Sequence, residues 1–93
     1  MTEQADSSAD TWFVYMLRCA DGSLYTGIAK DVSRRCEQHN AGTASRYTRS
    51  RLPVSVAYQE VQVTRSLALK RELAIKVMSR QEKESLIASW LKT

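Results

Sequence analysis

The sequence predicts a small mixed α/β protein, in which a three-stranded antiparallel sheet is flanked by helices. Three observations lead to this fold class. An aromatic and branched run lies near the N-terminus, a hairpin signal separates it from a second such run, and two later segments carry apolar residues at helical spacing. The chain has 93 residues, of which 43% are hydrophobic and 26% charged, as expected for a single globular domain. We expect the order β-β-α-β-α-α.

The first two elements are predicted to be the strands of a hairpin. Trp12–Arg18 (WFVYMLR) is apolar on both faces, which is typical of a central strand covered on each side. Asp21 and Gly22 follow and predict a hairpin, because the turn needs residues that adopt positive φ and Asp-Gly is a favoured pair there. Leu24–Ala29 is then the returning strand.

A helix and a third strand are expected next. Asp31 can cap the helix and Gly42 can end it. Residues 43–53 show no periodicity and contain a proline, which predicts a loop. The third strand is indicated by alternating apolar residues, namely Val54, Val56 and Tyr58.

Two helices are predicted to complete the fold. Thr64 can cap the first of them, and Ser79 with Glu82 forms a capping-box pattern that predicts the start of the second. The apolar stripe of the first helix is expected to be Leu69, Leu73 and Val77. That of the second, which ends near Trp90, is expected to be Leu86, Ile87, Trp90 and Leu91.

Composition excludes several classes of protein. The longest apolar runs, such as Phe13–Leu17, are far shorter than the roughly 18 residues needed to cross a bilayer. Residues 1–11 are polar and acidic, which predicts a disordered tail before a domain at 12–91 and no secretory signal. Cys19 and Cys36 are too few for a disulfide framework or a four-ligand zinc site. We therefore expect a cytoplasmic protein without a membrane partner or small-molecule cofactor.

Positive charge is concentrated in the second half of the chain. Residues 1–30 contain two basic and four acidic residues, whereas residues 61–93 contain seven basic and three acidic residues; the net charge is +4. A basic surface of this kind suits a phosphate polyanion. An ordinary solvated surface would give the same count, so charge alone does not decide between them.

Five polar residues would suffice for phosphodiester hydrolysis if they met in one pocket: Tyr15, Tyr25, Arg35, His39 and Glu72. Glu72 could hold Mg²⁺, which needs only one or two carboxylates besides water and substrate phosphate. Arg35 could grip the phosphate through its planar guanidinium. A tyrosine or His39 could accept the proton of the attacking water.

Each of these residues also has a structural interpretation. Strand tyrosines are commonly half-buried packing residues, and His39 near a helix end could be a favourable cap. Glu72 and Lys76 could form an i,i+4 surface pair worth roughly 0.2–0.5 kcal/mol. A nucleophilic couple between Cys36 and His39 is possible by spacing, but a core thiol is the simpler interpretation of Cys36.

Several motifs in order resemble those of the GIY-YIG nuclease superfamily. They cover about Trp12 to Trp90 and read Val14-Tyr15-Met16, Tyr25-Thr26-Gly27, Arg35 followed by His39, Asn40 and Gly42, Tyr47–Val54 (YTRSRLPV), and Ala68–Lys76 (ALKRELAIK) with Glu72 in the metal-carboxylate position. The resemblance is to the small single-domain bacterial branch, and to the nuclease subunit of the eukaryotic complex that cuts branched DNA. Two motifs depart from the family pattern, since Gly-Ile-Tyr is replaced by Val-Tyr-Met and Tyr-Ile-Gly by Tyr-Thr-Gly.

The resemblance implies an endonuclease that uses one divalent ion, Mg²⁺ or Mn²⁺, held by Glu72. In such an enzyme Tyr15 or Tyr25 assists the activation of water together with His39, and Arg35 stabilises the charge that develops on the phosphate. The expected substrate is nicked, flapped or branched DNA. Two alternatives stay open: an inactive nucleic-acid-binding module, and a domain that needs a protein partner for activity.

Basic residues interleaved with an aromatic one are expected to contact the DNA, because arginine holds phosphates and a tyrosine can stack on a base. These residues are Lys30, Arg34, Arg46, Tyr47, Arg49, Arg51 and Lys76.

The hairpin imposes a condition on a shared site. A two-residue turn would pair Arg18 with Tyr25, and Tyr15 would then lie on the opposite face of the sheet, because strand side chains alternate. A site containing both tyrosines therefore requires a loop of odd length or a bulge, and we predict one.

Overall fold

The computed structural model describes residues 11–92, and it has the predicted α/β order with one added helical turn. The strands are β1 (Trp12–Arg18), β2 (Leu24–Ala29) and β3 (Ser55–Gln62). The helices are α1 (Val32–Asn40), α2 (Arg46–Arg49), α3 (Arg65–Lys76) and α4 (Arg80–Leu91). The predicted disordered tail lies outside the described residues except for its last residue, Thr11.

Strand β1 is the centre of the sheet, as its two apolar faces predict. The strand order is β2-β1-β3, and both pairings are antiparallel. On one face Val14 and Met16 join a core cluster with residues of α3 and α4. On the other face Tyr15 and Leu17 join a second cluster with Val32 of α1. The sheet is therefore covered on both sides, and the tyrosine of β1 lies on the side of α1.

The hairpin between β1 and β2 has a three-residue loop. Cys19 N donates to Ser23 O over 2.9 Å, and Gly22 N donates to Cys19 O over 2.9 Å. Gly22 has a φ of 86°, which is the left-handed position that three-residue hairpin loops require. The Asp21 carboxylate accepts hydrogen bonds from both the backbone N–H and the hydroxyl of Ser23.

This odd-length loop sets the register of the two tyrosines. Tyr15 pairs with Gly27, and Leu17 pairs with Tyr25. Because side chains of directly paired residues lie on the same face, Tyr15 and Tyr25 share the face that packs against α1. The prediction of an odd-length loop is confirmed.

The first helix has the predicted cap, but the following loop contains a helical turn. The Asp31 carboxylate accepts from Arg34 N, and Gly42 follows the helix with a φ of 80°. Ser45 Oγ accepts from the backbone N–H of Tyr47 and Thr48 and so caps α2. The prediction of a loop throughout 43–53 is wrong at α2, because four residues are too few to show helical periodicity.

Strand β3 contains a bulge that breaks the expected alternation. Met16 pairs with Tyr58, whereas Leu17 pairs with Val56, so Ala57 is an extra residue. Val56 consequently packs on the α1 side of the sheet and Tyr58 on the other. The alternating pattern was right about the strand and wrong about a single shared face.

Helix α3 is rotated relative to the predicted stripe. Its buried residues are Ala68 and Ile75, while Leu73 and Val77 are 64% and 84% exposed. Ala68 has no side chain beyond Cβ, so the helix can approach the sheet closely on this side. The predicted stripe is therefore wrong for Leu73 and Val77.

Helix α4 begins with the predicted capping box between Ser79 and Glu82 and buries Ile87. The prediction that Leu91 lies on the apolar stripe is wrong, because this residue is 73% exposed at the end of the helix. Within residues 11–92, no helix combines the length and the apolar character needed to cross a membrane.

Candidate active site

The site is built around Tyr15, whose side chain is 1% exposed. Its hydroxyl lies 3.0 Å from His39 Nε2. Burial raises the pKa of the Tyr15 phenol, and the charges of Tyr25 and Glu72 raise it further; the positive charge of Arg35 opposes them. Tyr15 is consequently protonated at neutral pH. These electrostatic effects also indicate that residues from three other elements, β2, α1 and α3, approach the same hydroxyl.

His39 connects Tyr15 to helix α2. The imidazole is 1% exposed, and its Nδ1 lies 2.7 Å from Thr48 Oγ1. Burial and the nearby positive charge of Arg35 lower the pKa of His39, so the ring is neutral at pH 7. Thr48 is fully buried. Thr48 lies within the Tyr47–Val54 motif, but a lone threonine in an aperiodic segment carries no signal that predicts a role for it.

The aromatic side chains form a contiguous group. The centroid of the Tyr25 ring lies 5.0 Å from that of His39 and 6.4 Å from that of Tyr15, in tilted and edge-on arrangements that aromatic pairs favour. Tyr47 extends the group, with its ring centroid 6.1 Å from that of Tyr25. Both strand tyrosines thus meet His39 in one place.

Gly27 leaves the space that the Tyr15 hydroxyl occupies. A Cβ at position 27 would lie 2.8 Å from Tyr15 Oη, 2.9 Å from Tyr15 Cζ and 3.2 Å from a ring carbon of Tyr25. No side chain larger than hydrogen fits without moving Tyr15. In the sequence Gly27 is only the last residue of a motif; its place directly opposite Tyr15 in the sheet explains why the motif contains glycine.

Arg35 and Glu72 bring opposite charges to the Tyr15 hydroxyl from different helices. Arg35, on α1, donates from Nε to Gln38 Oε1 over 2.9 Å. Glu72, on α3, has a side chain only 15% exposed, and its Oε2 lies 3.2 Å from Lys76 Nζ. The predicted i,i+4 pair is therefore present, and Glu72 is also close enough to Tyr15 to affect its pKa.

The donor set around Glu72 fits a metal that relies on few protein ligands. Among residues 11–92, no three His, Cys, Asp or Glu side chains come together as a metal cage. Mg²⁺ commonly binds one or two carboxylates and completes its shell with water and substrate phosphate. A single, largely buried carboxylate that approaches the same tyrosine hydroxyl as Arg35 is compatible with that mode.

Four of the residues expected to contact DNA line two open grooves. Lys30 and Arg34 line a groove of about 270 Å³ together with Arg35. Arg46 and Arg49 line a second groove of about 610 Å³ beside α2. These cations flank the candidate site along α1 and α2.

The other three residues of that set already have partners within the protein. The Arg51 guanidinium lies 3.9 Å from the centroid of the Tyr47 ring, and its Nε lies 3.2 Å from an oxygen of Asp21. Lys76 is paired with Glu72. The face of Tyr47 under Arg51 is consequently covered, and base stacking on that face would require Arg51 to move.

Cys36 is not aligned with His39 for nucleophilic chemistry. Its Sγ lies 3.8 Å from Val54 O, and burial raises the pKa of the thiol. His39 is instead occupied by Tyr15 and Thr48. The simpler interpretation of Cys36, a packed thiol, is the one the geometry favours.

This fold and arrangement of residues define a class of protein. Residues 11–85 match the model of the GIY-YIG catalytic domain, which covers well over half of the chain. The chain belongs to the GIY-YIG nuclease family.

Individual relatives point to a small single-domain group within it. The chain is 55% identical over 78 residues to a UPF0213 protein of Staphylococcus aureus strain Mu50, an alignment that covers 84% of this chain and 95% of the relative. A solution structure of an Enterococcus faecalis protein matches with a TM-score of 0.60 and 36% identity, covering 89% and 88% of the two chains. The solution structure of a UPF0213 protein of Bacillus halodurans matches with a TM-score of 0.54 and 37% identity, covering 84% and 83%.

Proposed function

We propose that this protein is a metal-dependent DNA endonuclease that hydrolyses phosphodiester bonds in nicked, flapped or branched DNA. The observation that carries the proposal is the convergence on the Tyr15 hydroxyl of a neutral imidazole and an arginine from α1 and a carboxylate from α3. The membership of the GIY-YIG family supports the nuclease chemistry, and the basic grooves support a nucleic-acid substrate.

The proton of the attacking water is proposed to leave through Tyr15 and His39. A buried phenol with a raised pKa is a poor base unless it loses its own proton at the same time. His39 Nε2 lies 3.0 Å away, and the lowered pKa of His39 keeps the ring neutral and able to accept. Tyr15 then takes the proton from water as it passes its own proton to His39.

Arg35 is proposed to bind the phosphate of the substrate, and Glu72 is proposed to hold the metal ion. The guanidinium of Arg35 can bind phosphate oxygens through paired hydrogen bonds, and its charge stabilises the negative charge that develops during attack. Glu72 is the residue that would hold Mg²⁺ or Mn²⁺, which supplies Lewis-acid stabilisation of the same charge. The cytoplasmic location and a protein partner for substrate targeting stay predictions.

The test is cleavage by the purified protein of labelled nicked, flapped and four-way branched DNA, with Mg²⁺, Mn²⁺ or chelator. Wild type is expected to cut only with metal. Glu72→Gln and Arg35→Ala are expected to lose at least about 10²-fold in rate, the size expected for loss of one strong electrostatic contact. Glu37→Gln and Lys70→Ala change exposed residues of the same charge on α1 and α3 and should cut normally.

The other outcomes overturn specific parts of the proposal. Binding of DNA without cutting under every metal condition, unchanged in Glu72→Gln, would identify a binding module. Cutting that persists in chelator would exclude the metal role of Glu72. Equal cutting of intact duplex and branched DNA would exclude the proposed substrate preference.

A further inference from the structure

Among residues 11–92, Thr48 is the one fully buried polar residue of the site that the proposed reaction does not use. It lies on the one-turn helix α2, nine residues from His39, and its Oγ1 is 2.7 Å from His39 Nδ1. The α2 segment is held by Ser45, whose hydroxyl caps the turn. A buried hydroxyl in contact with a catalytic imidazole decides which ring nitrogen carries the proton, because each tautomer needs a different partner.

The hydrogen bonds around Thr48 select one tautomer. Thr48 Oγ1 also contacts Ser45 O at 3.3 Å, and since a carbonyl oxygen only accepts, the hydroxyl donates its proton there. Towards His39 the same oxygen then accepts, so Nδ1 carries hydrogen. That leaves a lone pair on Nε2, which faces the hydroxyl of Tyr15.

The surroundings of Tyr15 lead to the same tautomer independently. Its hydroxyl is almost fully buried and needs an acceptor for its proton. Within residues 11–92, the acceptor that the hydroxyl contacts is His39 Nε2, while Arg35 is purely a donor. If Nε2 carried the hydrogen instead, the Tyr15 proton would have no buried partner, which is costly.

We propose that Thr48 is a positioning residue that fixes the Nδ1–H tautomer of His39 and thereby makes Tyr15 donate to Nε2. The inference rests on the proposed function for its catalytic meaning, since the proton path from Tyr15 to His39 exists only in this tautomer. Thr48 itself does not touch the reacting atoms. Its hydroxyl holds Nδ1–H while Nε2 receives the proton.

The tautomer can be measured directly, because the chain contains a single histidine. Long-range ¹H–¹⁵N spectra of uniformly ¹⁵N-labelled protein at about pH 8, above the ordinary histidine pKa of about 6.5, report which ring nitrogen is protonated. Wild type and Thr48→Ser are expected to show a protonated Nδ1 and an unprotonated Nε2. Thr48→Val keeps the volume but removes the acceptor, and it is expected to shift the ring towards the Nε2–H tautomer.

Cleavage rates of the same variants link the tautomer to the reaction. Thr48→Val is expected to cut at least about tenfold more slowly, with the about 10²–10⁴-fold that a positioned base contributes as the upper bound, and Thr48→Ser should keep the wild-type rate. Ser66→Ala removes an exposed hydroxyl on α3 and is the control, expected to match wild type in spectrum and rate.

Several results would overturn the inference. A wild-type spectrum with protonated Nε2 excludes it without any variant, and so does a Thr48→Val spectrum unchanged from wild type. If Thr48→Val fails to fold, the wild-type spectrum still decides the tautomer, and Thr48→Ala, which also lacks the hydroxyl but adds no bulk, tests its dependence on Thr48. A wild type that has the expected tautomer but cuts no DNA contradicts the proposed function and leaves the assignment of the tautomer to Thr48 intact.

Discussion

Replacement of Gly27 by alanine tests whether the space above β2 is reserved for the Tyr15 hydroxyl. The new Cβ would lie 2.8 Å from Tyr15 Oη, and ordinary van der Waals contact begins at 3.4 Å, so the hydroxyl must move by about 0.6 Å. Tyr15 has little freedom to do so, because it is 1% exposed and bonded to His39. Overpacking of this kind typically costs about 1–3 kcal/mol.

The same displacement should slow cleavage. A misplacement of about 1 Å can cost about 10²-fold in rate, so a shift of about 0.6 Å in the tyrosine that we propose as the proton acceptor should cost about 10- to 100-fold. Urea unfolding and single-turnover cleavage of branched DNA measure the two effects. Gly22→Ala is the matched control: its φ of 86° costs alanine about 1–2 kcal/mol, but the site lies elsewhere, so cleavage should be unaffected.

A double-mutant cycle identifies Tyr15 as the cause. In a Tyr15→Phe background the atom nearest to the new Cβ is absent, and the ring is released from His39. Gly27→Ala should therefore cost less stability there, with a coupling of about 0.5–3 kcal/mol. Equal costs in both backgrounds, or a Gly27→Ala protein with wild-type stability and cleavage, would refute the assignment of this space to the hydroxyl.

Three further predictions concern packing and pH. Ile75→Ala should lower the free energy of unfolding by about 2–5 kcal/mol, whereas Leu73→Ala, on the exposed side of α3, should change it by less than about 0.5 kcal/mol; comparable losses in urea melts would contradict the observed helix rotation. Two arginines lower the pKa of Glu84 to about 2. This folded-state pKa lies below the unfolded value of about 4.3. The ionised carboxylate therefore stabilises the fold above about pH 4.3, and this stabilisation is lost as the pH falls from about 4.3 to about 2. The stability difference between wild type and Glu84→Gln should accordingly narrow over that window, and a constant difference in urea melts would count against the ion pair. The pKa of His39 lies below its ordinary value partly through the charge of Arg35, so cleavage should fall only at acidic pH, as the imidazole becomes protonated and can no longer accept. In Arg35→Gln an NMR titration should show the His39 pKa raised, and an unchanged value would exclude this electrostatic contact.

The ion pair between Glu60 and Arg71 explains part of what orients α3. Arg71 Nε lies 2.8 Å from Glu60 Oε2, and the other oxygen of Glu60 accepts a hydrogen bond from Tyr58. The arginine precedes Glu72 on α3, so its attachment to β3 constrains the rotation of the helix that carries Glu72. This contact joins residues eleven apart in sequence, and helical periodicity contains no information about it.

The sequence by itself determined the features that depend on neighbouring residues. The apolar run of β1 predicted a central strand, and Asp31, Thr64 and Ser79 predicted the helix starts, because a cap bonds within its own first turn. The residue types of the motifs similarly identified the catalytic candidates and the family. The requirement for an odd-length hairpin followed from strand alternation alone, and the structure meets it.

The tertiary structure alone decided how distant elements meet. The bulge at Ala57, the rotation of α3 that exposes Leu73, and the covering of Tyr47 by Arg51 all result from contacts between separate elements. The role of Thr48 is the clearest case, since its hydroxyl can affect the tautomer of His39 only because the fold brings that imidazole into contact with it. The local pattern of apolar and capping residues predicts where a strand or helix begins. The direction of each side chain in the site is instead determined by packing between elements across the sheet.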